Sequence, residues 1–163
     1  MSPIDLEELE QHVFFRDFPQ TLVEFLLPLV EEKTFPEGKQ IINREDDAER
    51  FFLIKNGLVT VQLNDPEEGE VDIETLSEGD PLGWSWVHPP YVWQFSARAE
   101  NETTCYTFPA EELRERCQME LELGYRIYRQ LLKTVSDRLS ATRLQLLKQK
   151  DIELPPGLED VEL

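Results

Sequence analysis

The spacing of apolar residues along the chain predicts two short helices followed by a region of strands. In residues 4–15 and 20–30 the apolar side chains recur every three or four positions, the period of an amphipathic helix. Pro28 interrupts the second segment, so we expect a kink or an early end there. From residue 33 to residue 108 the pattern changes to short alternating runs separated by turns, which is typical of strands.

Turn signals divide the strand region. Asn56-Gly57, between apolar runs at 51–54 and 58–63, predicts a two-residue β-hairpin. The segment 65–69, DPEEG, predicts the next turn, and residues 103–108 predict the last strand. Several short strands with regular turns predict a mainly β fold, an antiparallel β-roll of the jelly-roll type (a double-stranded β-helix), with flanking N-terminal helices and a long C-terminal helix.

The C-terminal part of the chain is helical in pattern. Pro109 followed by two carboxylates is a helix start signal, and a longer helix follows to about residue 149. Apolar positions along it alternate steps of four and three for more than three heptads, which predicts a coiled-coil seam. The seam comprises Leu121, Tyr125, Tyr128, Leu132, Val135, Leu139, Thr142 and Leu146. The seam predicts a parallel homodimer. The alternative is that the helix packs this stripe on the roll, which is possible only for the half that begins at Leu121, because the half from Val135 to Leu146 extends beyond a small roll.

An aromatic stretch, residues 76–99, lies between two predicted strands. It contains all three tryptophans, Trp84, Trp86 and Trp93, and it opens with the turn signal GDP at 79–81. A loop of this length in a small domain is usually functional or disordered, and so many aromatic residues argue against disorder. We therefore expect a compact insert that carries the function of the domain.

The glycines of this stretch resemble a known family. The pattern L-x-x-G-D-x-x-G beginning at Leu76, with Ala99 at the end, resembles the phosphate-binding cassette of cyclic nucleotide-binding domains, as in catabolite-activator-type regulators and protein kinase A regulatory subunits. Gly79, Asp80, Gly83 and Ala99 match. The resemblance spans residues 35–146. It implies a stand-alone ligand-sensing domain of the β-roll type, with a long C-terminal helix that dimerises and covers the ligand.

The two positions that bind the nucleotide in that family are changed. The resemblance places the ribose-binding Glu at Trp84 and the phosphate-binding Arg at Trp93. An indole has one N–H donor and no acceptor, so it replaces neither a carboxylate nor a bidentate guanidinium. By strand alternation Arg98 faces away from Trp93, and Gln94 offers one neutral hydrogen bond. We therefore expect cyclic nucleotide binding of the usual kind to be lost.

Two functions of different class follow. In the first, a sensor takes a small planar or apolar ligand by stacking in an aromatic pocket. In the second, the indoles fill the pocket and leave a dimeric interaction scaffold. A true cAMP or cGMP sensor, with Gln94 and backbone N–H groups holding the phosphate, is a third alternative. The predicted pocket residues are Gly83, Trp84, Ser85, Trp86, Tyr91, Trp93 and Gln94.

Charge argues against nucleic acid as a partner. The 163 residues carry a formal net charge of −18. Before Arg114 there are 25 acidic and 7 basic residues, whereas residues 114–150 hold 4 acidic and 9 basic ones. Affinity for DNA comes mainly from neutralising phosphates with Lys and Arg, so the acidic part repels it. The resemblance includes regulators with a helix-turn-helix after the long helix, but here too few residues follow for one.

Other functional classes lack their signatures. No G-x-S-x-G, H-E-x-x-H or P-loop sequence occurs, and His12 and His88 have no spaced partners, so we expect neither an enzyme nor a metal or cofactor site. The acidic turn at 45–49 lacks the D-x-D-x-D-G order of a calcium loop. The N-terminus is acidic, and no apolar run is long enough to span a membrane. The two cysteines are expected to be free, buried thiols, so we expect a cytoplasmic location.

The composition predicts one domain and a tail. Residues 1–150 form the domain, with helices at 1–32, the β-roll at 33–108 and helices at 109–150. Residues 151–163 have the sequence DIELPPGLEDVEL. They are acidic and contain Pro-Pro-Gly, which predicts a mobile end. An alternative is that the tail docks a protein partner through Leu158, Val161 and Leu163.

Overall fold

A computed structural model describes residues 3–153 and residue 156. The chain forms two compact units, one ending at Arg126 and the other beginning at Ile127. The strands of the first unit are β1 (Glu31–Phe35), β2 (Gln40–Ile42), β3 (Arg50–Asn56), β4 (Val59–Asp65), β5 (Gly69–Leu76), β6 (Ser96–Ala99) and β7 (Thr103–Pro109). The helices are α1 (Leu6–Glu10), α2 (Gln20–Leu26), α3 (Ala110–Met119) and α4 (Leu121–Gln149).

Two antiparallel sheets form the β-roll. One has the strand order β1-β7-β3 and the other β2-β6-β4-β5. The strand β7 lies between β1 and β3 and is buried from Thr103 to Phe108. Its Tyr106 and Phe108 contact His12 and Phe15 of the N-terminal segment. The predicted antiparallel roll with N-terminal helices and a long C-terminal helix is confirmed.

The turn at Asn56-Gly57 joins the two sheets instead of closing a hairpin. β3 pairs with β7, whereas β4 pairs with β5 and β6, so the predicted hairpin is wrong. Gly57 has a φ of +106°, and a Cβ there would overlap Oγ1 of Thr103. The Asn56-Gly57 sequence specifies only a local backbone conformation. The strand with which β3 pairs is decided by the burial of β3 beside β7. The turn at 65–69 does close a hairpin, with Asp65 opposite Gly69.

The N-terminal helices are shorter than their pattern predicts. Residues 4–15 form α1 and a separate 3-10 helix, Val13–Phe15, because His12 between them has an extended backbone with ψ at 133°. As expected from Pro28, α2 ends at Leu26 and a 3-10 helix, Leu27–Leu29, follows. These segments position the opening of the aromatic stretch.

His12 connects the N-terminal segment to that opening. Its Nε2–H donates to the Ile54 carbonyl at 2.9 Å, while Nδ1 accepts from the Phe14 backbone N–H at 3.2 Å. The same Ile54 carbonyl accepts from the N–H of Gly79 at 2.9 Å. A Cβ at Gly79 would lie 2.6 Å from Cγ1 of Val13, so the glycine allows the close approach. The first turn of the stretch is thus held between β3 and residues 12–14.

We expect His12 to make folding stability depend on pH. Burial lowers the pKa of His12, although its hydrogen bond to Ile54 and the nearby carboxylates of Glu78 and Asp80 oppose that effect. As pH falls through the ordinary value of about 6.5, the unfolded chain binds the proton before the folded one does, so stability falls. The loss stops once pH lies below the folded-state pKa.

Urea unfolding of the parent protein and of His12→Gln at pH values from 8 to 5 measures this effect. The difference in unfolding free energy between the two should shrink as pH falls, by at most about 1.4 kcal/mol per pH unit. His88→Gln, at the exposed second histidine, is the matched control and should follow the parent curve. A parent and His12→Gln difference that stays constant over this range would contradict the role of His12.

The seam predicted along α4 is exposed. Its exposed fractions include 76% at Leu121, 62% at Tyr125, 68% at Leu132, 47% at Leu139 and 49% at Leu146. The apolar side chains that α4 buries are different ones: Leu123, Ile127, Leu131 and Leu144. Leu121 and Tyr125 belong to the first unit, so this end of the seam does not pack on the roll. Dimerisation stays a prediction, as do the domain boundaries; apart from residues 151–153 and 156, the tail lies outside the described residues.

Candidate functional site

The segment from Gly79 to Leu82 lies alongside strand β3. The backbone N–H of Ile54 donates to the Asp80 carbonyl, and that of Leu82 donates to the Phe52 carbonyl, both at 3.0 Å. The Asp80 carboxylate accepts from the N–H of Ser77 at 2.9 Å and so closes the turn. Two residues of the cassette-like pattern, Gly79 and Asp80, therefore have structural roles in anchoring the stretch to the roll.

Gly83 and Trp93 lie against each other. Gly83 has a φ of +125°, a conformation that residues with a side chain rarely adopt. A Cβ at this position would lie 3.0 Å from Cζ3 of Trp93, which is too close for an ordinary contact. The glycine thus allows the indole of Trp93 to cover the backbone at this point.

Trp93 is fixed on both sides. Its backbone N–H donates to the Asp46 carbonyl and its own carbonyl accepts from the N–H of Glu45, both at 2.9 Å. Its side chain is 7% exposed, and its ring centroid lies 6.4 Å from that of Phe52. The acidic turn between β2 and β3 therefore holds the backbone of Trp93 while the roll buries its indole.

Trp86 lies in the core of the first unit. It is 0% exposed, and its ring centroid is 4.8 Å from that of Phe51, with an angle of 33° between the planes. Its Nε1–H is buried and has no hydrogen-bond partner among the described residues. Trp86 thus contributes packing, at the cost of one unsatisfied donor.

Arg114 of α3 contacts the aromatic stretch at Trp86 and Tyr91. Its guanidinium lies 3.9 Å from the centre of the Tyr91 ring, and its Nη1–H donates to the Trp86 carbonyl at 2.7 Å. Tyr91 has a φ of +55°, a strained value for a residue with a side chain, and its carbonyl accepts from the N–H of Ala48 at 2.7 Å. Arg114 was not among the residues predicted from sequence, because an arginine on a helix carries no signal of which loop it reaches.

The predicted pocket residues do not converge on one space. Gly83 and Trp93 meet, whereas Trp86 stacks on Phe51 and Tyr91 contacts Arg114. Gln94 is exposed, and its side-chain amide donates to the Val92 carbonyl at 3.2 Å. The remaining two, Trp84 and Ser85, are half-buried.

The other candidate chemistries can be checked against the described residues. Within residues 3–153 and 156, no group of three or more His, Cys, Asp or Glu is placed to hold a metal ion, including the acidic turn at 45–49. Over the same residues, no helix is long and apolar enough to cross a membrane. Cys105 and Cys117 are both buried and neither forms a disulfide, and burial raises the pKa of the Cys105 thiol to about 12.

Comparison with known proteins decides the family. The model of the cyclic nucleotide-binding domain family matches residues 32–120, more than half of the chain. This chain belongs to the cyclic nucleotide-binding domain family. The match begins at the second residue of β1 and extends one residue past the end of α3. Residues 76–99, which resemble the phosphate-binding cassette of this family, lie within it, and we refer to them as the cassette.

Solved structures of the same fold include stand-alone domains. A putative cyclic nucleotide-binding protein from Geobacter metallireducens has a TM-score of 0.73 and 24% identity, covering 85% of this chain and 98% of its own. A cyclic nucleotide-binding domain from Methylobacillus flagellatus has a TM-score of 0.75 and 20% identity, covering 93% and 84%. The regulatory subunit of a cAMP-independent protein kinase A from Trypanosoma brucei, a mutant bound to cAMP, has a TM-score of 0.66 and 18% identity, covering 79% and 45%.

Proposed function

We propose that this cyclic nucleotide-binding domain is a non-catalytic, dimeric interaction module whose cassette is filled by its own indole instead of a cyclic nucleotide. The observation that carries this proposal is the packing of Trp93 on Gly83. Trp93 stands at the position that the family uses for its phosphate-binding arginine. An apolar ring at that place excludes the phosphate and supplies no charge to pair with it.

The polar residues near Trp93 in sequence are engaged elsewhere, which supports the loss of phosphate binding. Arg98 pairs with Glu70 at 3.2 Å and with Glu100 at 3.0 Å. Gln94 donates its amide to the carbonyl of Val92, two residues earlier. Neither side chain replaces the missing arginine without breaking these contacts.

The exposed seam of α4 supports the dimeric part of the proposal. Six large apolar side chains of the seam are at least 39% exposed: Leu121, Tyr125, Tyr128, Leu132, Leu139 and Leu146. An apolar stripe at heptad spacing on an exposed helix is the pattern of a coiled-coil interface, and in this seam only Thr142 is polar. A second copy of the chain supplies an identical stripe, and a two-helix coiled coil buries both.

A sensor for a small planar or apolar ligand is the second candidate, and one observation favours it. The buried Nε1–H of Trp86 has no partner among the described residues, and native proteins rarely leave such a donor unsatisfied. An occupant with an acceptor atom would satisfy it. Mass spectrometry of the denatured, freshly purified protein tests this candidate, since a bound ligand would be released in stoichiometric amount.

The main proposal predicts that cAMP and cGMP do not bind. In a titration followed by tryptophan fluorescence and by calorimetry, neither nucleotide should give a saturable signal at micromolar concentration, because the cassette lacks both anchors. All three tryptophans lie in the cassette, so an occupant there would alter the emission. Saturable binding of either nucleotide at micromolar concentration would show instead that this domain is a nucleotide sensor with a different phosphate site. The cytoplasmic location stays a prediction that this experiment does not address.

A further inference from the structure

One side of α4 is covered near the C-terminal end of the helix. Leu144 is 5% exposed, and Ala141 and Leu147, three residues before and after it, are half-buried. Side chains three residues apart are neighbours on a helix surface, so these three positions form a row that leads to the end of the helix. We call Ala141, Leu144 and Leu147 the covered row.

The covered row is separate from the seam. A helix turns about 100° per residue, so Leu144 points about 140° away from Leu139 and about 160° away from Leu146. Those two seam residues are 47% and 49% exposed, which is the exposure of a leucine on an uncovered side of this helix. A helix does not bury its own leucine to 5%, so another part of the chain lies on the covered row.

The covered row also differs from the other buried positions of the second unit. Ile127 and Leu131 are 1% and 4% exposed, and by the same helix geometry Leu144 points roughly 100° away from the first and 140° away from the second. The segment that covers Leu144 therefore lies on its own side of the helix.

The chain turns back where α4 ends. Asp151 has a φ of +51°, and its N–H donates to the Lys148 carbonyl at 3.2 Å. The N–H of Ile152 donates to the Leu147 carbonyl, also at 3.2 Å. These two bonds form a Schellman motif, in which the chain leaves the helix through a left-handed residue. The second bond places Ile152 beside Leu147, the last member of the covered row.

The residues that follow this turn are long enough to reach Leu144. Pro155 and Pro156 cannot continue a helix, and consecutive prolines favour an extended backbone with a rise of about 3.1 Å per residue. Along α4, Leu147 and Leu144 are separated by about 4.5 Å, at 1.5 Å per residue. Two extended residues after Ile152 therefore bring Leu154 to the level of Leu144.

The charges of the two segments are complementary. Residues 151–163 contain five acidic residues and no basic one, whereas residues 127–150 contain six basic residues and one acidic one. Among the basic residues, Arg143, Lys148 and Lys150 are exposed, and none of the three forms an ion pair with another described residue. An acidic segment that runs back along this part of α4 gains from their charge.

We propose that the acidic tail, residues 151–163, folds back on α4 of its own chain, with Leu154 covering Leu144 and the carboxylates of the tail lying along the basic part of the helix. The tail is favoured over a separate protein partner because it is tethered a few residues from the covered row. A short tether of this kind gives an effective concentration in the millimolar range.

The docked tail acts as a built-in competitor for acidic partners. Residues 114–150 are the part of the chain with an excess of basic residues, and an acidic protein surface that binds there has to displace the tail first. The covered row and the seam lie on different sides of α4, so docking of the tail depends neither on dimerisation nor on the loss of cyclic nucleotide binding.

Backbone ¹⁵N relaxation of the full chain measures the docking. Order parameters below about 0.6 mark a flexible backbone, and those of a rigid backbone are near 0.85. We expect values above 0.6 at Leu154, Gly157 and Leu158 in the parent protein. Values below 0.6 at all three residues would show that the tail is free, as its composition alone predicts, and would overturn the proposal.

A matched pair of variants locates the contact. Leu144→Asp and Gln145→Asp each add one negative charge at neighbouring positions of α4, but Gln145 is exposed and outside the covered row. The order parameter of Leu154 should fall below about 0.6 in Leu144→Asp and keep its parent value in Gln145→Asp. An equal loss in both variants would mean that the tail responds only to the charge of the helix, and the proposed site would be wrong.

Leu154→Asp tests the same contact from the side of the tail, without changing any residue of α4. It should release the tail and shift the methyl signals of Leu144, while circular dichroism keeps the helix signal of the parent. Unchanged Leu144 methyl signals would show that another segment covers this leucine and would overturn the proposal.

Mixing labelled and unlabelled chains shows on which copy the tail lies. The ¹⁵N-labelled Leu144→Asp chain is combined with an equal amount of unlabelled parent protein at several concentrations. Its tail should stay released, because its own covered row is altered. A tail that regains its order in the mixture would lie on the helix of a second copy, which contradicts docking within one chain.

Discussion

Replacement of Trp86 by alanine should lower the free energy of unfolding by about 3–5 kcal/mol, the usual cost of removing a large buried aromatic side chain. Trp86 is 0% exposed and its ring packs on Phe51, which in turn stacks on Phe108 of β7 at 6.0 Å between centroids. The truncation leaves a cavity between the cassette and the sheet that the surrounding strands cannot close. Urea denaturation followed by circular dichroism measures the loss.

Trp86→Phe separates packing from hydrogen bonding at the same position. Phenylalanine keeps an aromatic ring against Phe51 but removes the buried indole N–H, whose lack of a partner costs roughly 1–3 kcal/mol. The loss of ring volume and the removal of this donor act in opposite directions. We therefore expect Trp86→Phe to change the unfolding free energy by less than about 1.5 kcal/mol.

Phe95→Ala is the matched control for Trp86→Ala. Phe95 lies in the same cassette but is 44% exposed, so its truncation should change stability by no more than about 0.5 kcal/mol. A Trp86→Ala loss as small as that of Phe95→Ala would mean that Trp86 does not support the core. A Trp86→Phe loss close to that of Trp86→Ala would mean that the N–H has a partner which the indole alone can reach.

The architecture could be predicted from sequence because its signals are local and repeated. Alternation of apolar residues marked the strands, Pro28 marked the end of α2, and the glycines of the cassette carried the family resemblance. Gly79 and Gly83 were readable because each is needed for its backbone conformation and for a close approach, to Val13 and to Trp93 respectively. The positive φ at each glycine is a local requirement, whereas the approach of Gly79 to Val13 joins segments far apart in sequence.

The direction in which each aromatic side chain points could not be predicted, because it depends on contacts between strands that are far apart in sequence. Asn56-Gly57 has the composition of a hairpin, yet β3 and β4 belong to different sheets. The three indoles were grouped in one pocket since they are close in sequence, but Trp86 packs on Phe51 while Trp93 packs on Gly83 and Phe52. The position of Arg114 over Tyr91 likewise follows from where α3 begins after β7.

Substituting both Leu132 and Leu139 by aspartate should convert the proposed dimer into a monomer. The two leucines lie one heptad apart on α4 and are 68% and 47% exposed in the single chain. In a parallel coiled coil each packs against its own copy in the partner helix, so the substitution would bury like charges against each other. A penalty of at least about 3 kcal/mol corresponds to a dissociation constant raised more than 100-fold.

Sedimentation equilibrium of the parent and the double variant measures this change. Ile73→Asp is the control, because Ile73 is 44% exposed on strand β5 and lies outside the seam, so that variant should remain dimeric. Circular dichroism of the double variant should keep the β-roll signal, since neither leucine is buried in the single chain. A parent protein that sediments as a monomer at tens of micromolar would contradict the dimer outright.

The distribution of charge along the chain adds a salt dependence to the same prediction. Residues 114–150 hold 9 basic and 4 acidic residues, whereas 25 acidic and 7 basic residues precede them. The acidic residues before residue 114 in one copy therefore repel those in the other copy. The segment 114–150 does not carry this negative charge. Salt screens the repulsion between exposed charges but leaves the apolar seam intact, so the dimer should tighten as ionic strength rises from 0.01 to 0.15 M. An interface held by surface ion pairs instead of the seam would weaken over that range.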